Sequence, residues 1–216
     1  MKSKEFNKES NKESTNRYKK AEWDNYWDKH ASKPRLIDRI IGLVRVYFDN
    51  NYLRNLRMVS ALKGKILEVG CGTSITSIKM KNKANIIYAL DYSDKLKKYW
   101  EPDKVKYIIA DGFDMPLKND FFDLVWNAGV LEHFDNPKDM LKEMMRVCKK
   151  KGLICVFVPY IFDITAHLQL YGKETIYNRS MLKKLLIDAG LKNVGTKVLY
   201  SNIGMSILGY GVKQTN

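Results

Sequence analysis

Four short stretches carry the residue types and spacings that could do chemistry, and each closes an apolar run. The first is Glu68-Val69-Gly70-Cys71-Gly72-Thr73-Ser74, which leads into a helical pattern. Glycines at 70 and 72 permit a tight turn and a close approach of the backbone to a ligand. A dinucleotide fingerprint would need a third glycine at position 75, where the chain has Ile75, and no GxxxxGK[ST] phosphate loop occurs. The second run closes on Asp91, twenty-one residues beyond Gly70. A carboxylate there is placed to accept hydrogen bonds from both hydroxyls of a ribose. The third ends in Ala110-Asp111-Gly112-Phe113. Its carboxylate suits the exocyclic amine of adenine, and its aromatic an apolar ring face. The fourth, Asp123-Leu124-Val125-Trp126-Asn127, continues through Ala128-Gly129-Val130-Leu131-Glu132-His133-Phe134. His133 reads either as a base or acceptor-orienting group, or as a packing histidine at a helix start.

These stretches need a scaffold that brings strand ends together. Apolar runs with little alternation predict strands at 65–70, 86–91, 105–110, 122–127 and 153–158, buried on both faces. Helical patterns fall between and after them near 75–82, 93–100, 136–150 and 179–189. Such alternation predicts a doubly wound, mostly parallel α/β sheet with right-handed crossovers. Two closing strands, Val194 to Tyr200 and Ile207 to Val212, read as an antiparallel hairpin at one edge and bring the sheet to seven strands. Ligands of such sheets bind outside the carboxyl ends of the strands, where the four stretches lie.

Before the sheet, residues 1–20 are rich in Lys, Asn, Glu and Ser and read as a disordered basic tail. Residues 21–62 read as a helical cap, with helices at 36–48 and 50–62, and 63–216 as the sheet domain. The chain has 216 residues, 38 Lys and Arg against 24 Asp and Glu, and a net charge of +14. The excess is +4 over 1–20, +3 over 21–64, +2 over 65–150 and +5 over 151–216, a solvated Lys-rich surface rather than one nucleic-acid groove. Cys71, Cys148 and Cys155 include no CxxC pair, which argues against disulfides and a cysteine zinc site, and no metal is expected. The charged N-terminus lacks a leader's apolar core, and the longest apolar run, Leu153 to Phe162, is about half of the roughly 20 residues that span a bilayer. A cytoplasmic protein is expected.

LEVGCG, ALDYS, ADGFDMPL and FDLVWNAGVLEHF together resemble the class I S-adenosylmethionine-dependent methyltransferases, whose fold is Rossmann-like, and GLICVFVP resembles their fifth-strand motif. The VLEHF ending is similar to the methyltransferase type 11 group, which includes quinone, lipid and sugar methyltransferases. The resemblance covers roughly residues 64–160. It implies S-adenosyl-L-methionine as cofactor, with Gly70 and Gly72 against its methionine part and ribose and Glu68 orienting the loop. It further implies Asp91 on the ribose diol, Asp111 and Phe113 framing the adenine, and the Asn127 backbone near the amino group, with Cys71, Tyr92 and Gly112 beside them. One departure is Ser74, where many members have a third glycine; a serine there is small and could cap the following helix.

The resemblance implies methyl transfer by in-line displacement, which depends mainly on alignment of acceptor and methyl. Substrate choice should lie outside the common core. Tyr26, Tyr160, His167 and Tyr171 are candidates for the acceptor pocket, and the apolar character of Tyr160 to Tyr177 suits a small-molecule or lipid-like acceptor. His167 reads equally as a solvated loop histidine. Trp23, Tyr26 and Trp27 read either as a lid or as a staple onto the sheet, and the 36–48 helix either as a cleft cap or as a peripheral contact with an anionic membrane. Two other functions stand beside the small-molecule reading. A tRNA methyltransferase would suit the charge, but the (N/D)PP(Y/F) motif is missing after strand four and no cysteine follows a proline. A non-catalytic cofactor-binding module is opposed by the intact motif set.

Overall fold

The computed structural model describes residues 25, 50–160, 174–200 and 205–214. The tail over 1–20, the cap aromatics Trp23, Tyr26 and Trp27, the 36–48 helix, His167 and Tyr171 lie outside the described residues.

Seven strands form one sheet in the order β3-β2-β1-β4-β5-β7-β6. They are β1 (Gly64–Val69), β2 (Asn85–Asp91), β3 (Val105–Ile109), β4 (Phe122–Ala128), β5 (Cys148–Pro159), β6 (Lys192–Tyr200) and β7 (Met205–Val212). The first five run parallel; β7 pairs antiparallel with β5 and with β6. The chain winds outward from β1 to β3, then returns to lay β4 on the other side of β1. Strand order therefore reverses between β1 and β4, and a cleft opens at their carboxyl ends.

Successive side chains of a strand point to opposite faces, so a run apolar at every position feeds two cores. Leu67 and Val69 of β1, Val125 of β4 and Ile154, Val156 and Val158 of β5 enter one core. Helices α3 (Pro137–Val147) and α4 (Arg179–Ala189) cover it with Met140, Leu141, Met144, Leu182 and Leu186. Ile66, Leu124, Trp126, Cys155 and Phe157 enter the other core, covered by Leu53 and Leu56 of the helical stretch 50–59 (α1) and Met80 of α2 (Ile75–Met80).

Two expectations need correction. The stretch 93–100 is not a helix; it forms only a 3-10 turn over Lys97–Tyr99. Its apolar positions are too few to cover a sheet face, and of them only Leu96 is buried. The helix expected to reach residue 150 ends at Val147, and Cys148 opens β5 instead, with its thiol buried beneath the strand. Lysines 149–151 solvate the protruding start of that strand, a pattern that polarity alone cannot tell from a helix end.

Helix α3 also fixes the loop that follows β3. Arg146 donates to the carbonyls of Leu117 and Met115 at 2.8 Å each, and to Asn119 Oδ1 at 2.6 Å. Its guanidinium also pairs with Glu143 at 2.6 and 2.8 Å, while Glu143 Oε1 accepts from Met115 N–H at 2.8 Å. The hydrogen bonds from Arg146 hold the Glu143 carboxyl below its usual range. Such a bidentate, multiply bonded pair contributes more than a surface ion pair. Arg146→Ala should destabilise the fold by about 2 kcal/mol, seen as a lower urea midpoint with the slope unchanged.

Candidate active site

The carboxyl ends of β1, β2, β3 and β4 carry loops that touch one another in sequence. After β1 the chain turns at Gly70 with φ +73°, a left-handed conformation that glycine adopts without strain. Its α-carbon faces the side chain of Val130 in the loop after β4: a β-carbon at position 70 would lie 2.5 Å from Val130 Cγ2. Gly70 and Cys71 both donate to the carbonyl of Leu90, at 2.8 and 3.0 Å, tying the turn to β2.

Gly72 is held from both sides. Its N–H donates to Asp91 Oδ2 at 2.7 Å, and its carbonyl accepts from Trp100 Nε1 at 2.8 Å. Trp100 in turn stacks flat on Tyr107 of β3, with ring centroids 4.4 Å apart. Asp91 Oδ1 accepts from Ser93 N–H at 3.0 Å. Both carboxylate oxygens are therefore oriented by backbone, and each has lone-pair capacity for a further donor. Tyr92 follows, 40% exposed at the rim.

In the loop after β3, Asp111 Oδ1 accepts from Phe113 N–H at 2.9 Å. The half-buried Phe113 meets Phe134 edge-on with centroids 4.9 Å apart, joining this loop to the one after β4. Gly112 is buried beneath them. Asn127 is fully buried near the end of β4, and its Oδ1 accepts no hydrogen bond. Beyond it Gly129, at φ +69°, turns the chain into a 3-10 turn over Leu131–His133. Glu68, Glu132 and His133 are all buried, and Tyr160 is half-buried at the far end of β5.

Thus Glu68, Gly70, Cys71, Gly72, Asp91, Tyr92, Asp111, Gly112, Phe113, Asn127 and His133 all lie on β1 to β4 or the loops at their carboxyl ends. Ser74 departs from its expected role. It precedes α2 in a left-handed conformation, φ 59° and ψ 19°, and its side chain makes no capping bond. That backbone is one glycine adopts more readily, and it turns the hydroxyl away from the helix N–H groups. Burial pushes the Cys148 thiol up to about 12 and the Cys155 thiol higher still, so both stay protonated and poorly nucleophilic. Among the described residues no group of His, Cys, Asp and Glu is arranged to hold a metal, and no helix is long and apolar enough to cross a membrane.

Sequence reasoning missed two residues. Trp100 was hidden in the stretch read as a helix, and nothing in its neighbours marks it. Glu132 was visible as an acid between Leu131 and the aromatic Phe134, beside a histidine, in a loop otherwise apolar. It is 2% exposed, and burial pushes its carboxyl up to about 8.

These loops gather at the carboxyl ends of a doubly wound sheet, where ligands of such sheets bind. Residues 67–156 match the profile of a methyltransferase domain family. An uncharacterized protein of Methanocaldococcus jannaschii is 29% identical over 171 residues, 73% of this chain and 82% of that protein. A 2-methyl-6-phytyl-1,4-hydroquinone methyltransferase of Oryza sativa is 27% identical over 147 residues, 62% of this chain but only 42% of that enzyme. A magnesium protoporphyrin IX methyltransferase from Synechocystis, solved with bound SAH, superposes with a TM-score of 0.67 at 15% identity, covering 89% of this chain and 94% of that one. Residues 67–156 thus carry a methyltransferase domain, on a fold shared with S-adenosylmethionine-dependent methyltransferases of known structure. The site suits that cofactor on its own geometry: a glycine turn with no room for a side chain, an oriented carboxylate at the end of β2, and a buried amide oxygen near the end of β4 with no bond yet made.

Two outcomes follow. Gly70→Ala forces a β-carbon into Val130 and strains the turn, and should weaken cofactor binding at least tenfold by calorimetry while the far-ultraviolet spectrum of the fold persists. Glu132 has a folded-state value of about 8 against an ordinary 4.5, so the native state holds its proton more tightly over that window. Its stabilising contribution is complete below about pH 4.5 and declines as pH rises toward 8, by up to about 1.4 kcal/mol per unit. Urea midpoints between pH 6 and 8 should fall less steeply in Glu132→Gln than in wild type.

Proposed function

We propose that the protein transfers a methyl group to a small, substantially apolar acceptor carrying a ring or lipid-like body. The observation that carries this reading is the clamp on Gly72 and Asp91, which presents two backbone-oriented carboxylate oxygens beside a glycine turn that a methyl donor's ribose can approach. In it Asp91 holds the ribose diol. Asp111 accepts the adenine amine through its second oxygen, and Phe113 packs on the ring. Gly70 and Gly72 lie against the methionine arm, with Asn127 and Glu68 near its polar end. The bound cofactor supplies an electrophilic methyl on a sulfonium, a good leaving group. The chain's own task is to align acceptor and methyl in a water-poor cleft.

The acceptor class rests on three supports. The turn over Leu131–His133, beyond the carboxyl end of β4, is buried and Tyr160, beyond β5, is half-buried, which suits an apolar acceptor better than a highly charged one. The stretch 65–150, which holds the site, is nearly balanced in charge. The rice relative is named for a phytyl hydroquinone and the Synechocystis neighbour for a porphyrin, both bulky apolar rings. His133, read above as a base or acceptor-orienting group or as a packing histidine, is buried in the same turn, 4% exposed.

Incubation of the protein and methyl-labelled cofactor with a cell extract, followed by separation into organic, RNA, protein and aqueous fractions, tests this. Label should enter the organic or small-molecule fraction, and Asp91→Ala should abolish the transfer. Label in RNA would replace the reading with a nucleic-acid acceptor, and no label in any fraction would favour a binding module.

A further inference from the structure

Glu68 and Glu132 are buried carboxyls at this edge whose Oε2 atoms accept no hydrogen bond, and Glu132 is the one carried on the turn after β4. The turn that bears it follows β4 at the reversal of strand order. Two residues before it, Val130 packs directly on Gly70, so the turn borders the glycine loop. A β-carbon at Gly129 would lie 3.7 Å from Glu132 Oε1, which shows the carboxyl folded back over its own loop. There the backbone N–H groups of Val130 and Glu132 stabilise it, whereas Oε2 is buried and accepts no hydrogen bond. The Glu132 carbonyl accepts from Thr175 N–H at 2.8 Å, which pins the turn to the chain entering α4. Among the described residues the charge bearing on the carboxyl is another carboxylate, Glu174 from that same entering segment; His133 is buried next to it in the turn. A buried carboxyl that faces no cation among the described residues is costly to ionise, and the natural complement of its unused oxygen is a ligand proton or a ligand's positive charge.

We propose that Glu132 is the catalytic proton acceptor, and that the methyl acceptor is therefore a protic group, an O–H or N–H, rather than a carboxylate or thioether. The assignment rests on the methyltransferase reading above. In the step, the acceptor's lone pair forms the bond to the methyl carbon, the carbon–sulfur pair remains on sulfur, and the acceptor's proton passes to Oε2. The proton then leaves to water as product departs. A carboxyl that is only a cap for its own turn would have no part in this.

The two roles separate without any acceptor in hand. A sulfonium near the carboxyl favours its ionised form, whereas the neutral thioether of S-adenosylhomocysteine does not. Burial keeps Glu132 largely protonated at neutral pH in the free site. Calorimetry at pH 7 in buffers of different ionisation enthalpy, with S-adenosylmethionine and S-adenosylhomocysteine as probes, should show proton release approaching one with the first and close to none with the second. Glu132→Gln should abolish the difference while leaving S-adenosylhomocysteine affinity within about threefold of wild type. That second value also reports that the variant is folded. Glu174→Gln, which removes the like charge, should move the pH at which the difference appears downward. With whole extract and labelled cofactor, Glu132→Gln should lower transfer by about 100-fold or more, and Glu132→Asp should recover part of it.

Equal proton release with both ligands, or a difference that survives in Glu132→Gln, would overturn the assignment while leaving the methyltransferase reading intact. Failure of both ligands to bind wild type would overturn the cofactor reading and this inference with it.

Discussion

The site depends on one close approach, the α-carbon of Gly70 against the side chain of Val130. It lets the loops after β1 and β4 meet at the point where strand order reverses. A side chain at position 70 would part them, and the backbone there would need a conformation that other residues adopt with strain. From that contact the other loops follow as a connected set. Leu90 receives the turn, Asp91 and Trp100 hold Gly72 from either side, and Phe134 reaches from the β4 loop to Phe113 in the β3 loop. Each link is an ordinary hydrogen bond or ring contact, but together they fix four strand ends without a ligand present.

The balance of polar and apolar groups along this edge suits the proposed transfer of a methyl from a cationic sulfonium, in which the positive charge leaves the donor with the methyl. Backbone orients the Asp91 and Asp111 carboxylates, leaving capacity for hydroxyls and an amine. The turn after β4 instead buries Glu132 and His133 with little polar company, which raises the cost of charge there. In the proposed reading the first region recognises the nucleoside and the neighbouring one excludes water.

Much of this was legible in the sequence because a parallel sheet buried on both faces writes itself as unbroken apolar runs. The runs ending at Gly70, Asp91 and Asn127 located the strands to within a residue, and the chemistry-bearing residues stood at or directly after their ends. The closing hairpin was also legible from its two short runs. Trp100 was not, because its role comes from a carbonyl twenty-eight residues earlier in the chain and a ring on the neighbouring strand. The end of α3 was misplaced because lysines 149–151 are as compatible with a helix end as with an exposed strand start. Ser74 looked like a cap by its type, but its left-handed backbone decided otherwise.

A crystal structure of the full chain with S-adenosylhomocysteine tests the central claim most directly. The account predicts the ribose hydroxyls on the two oxygens of Asp91, the adenine beside Asp111 and Phe113, and the thioether sulfur turned toward the loop that carries Glu132. Ligand density away from the carboxyl ends of β1 and β2, with no ligand hydroxyl on either oxygen of Asp91, would contradict it.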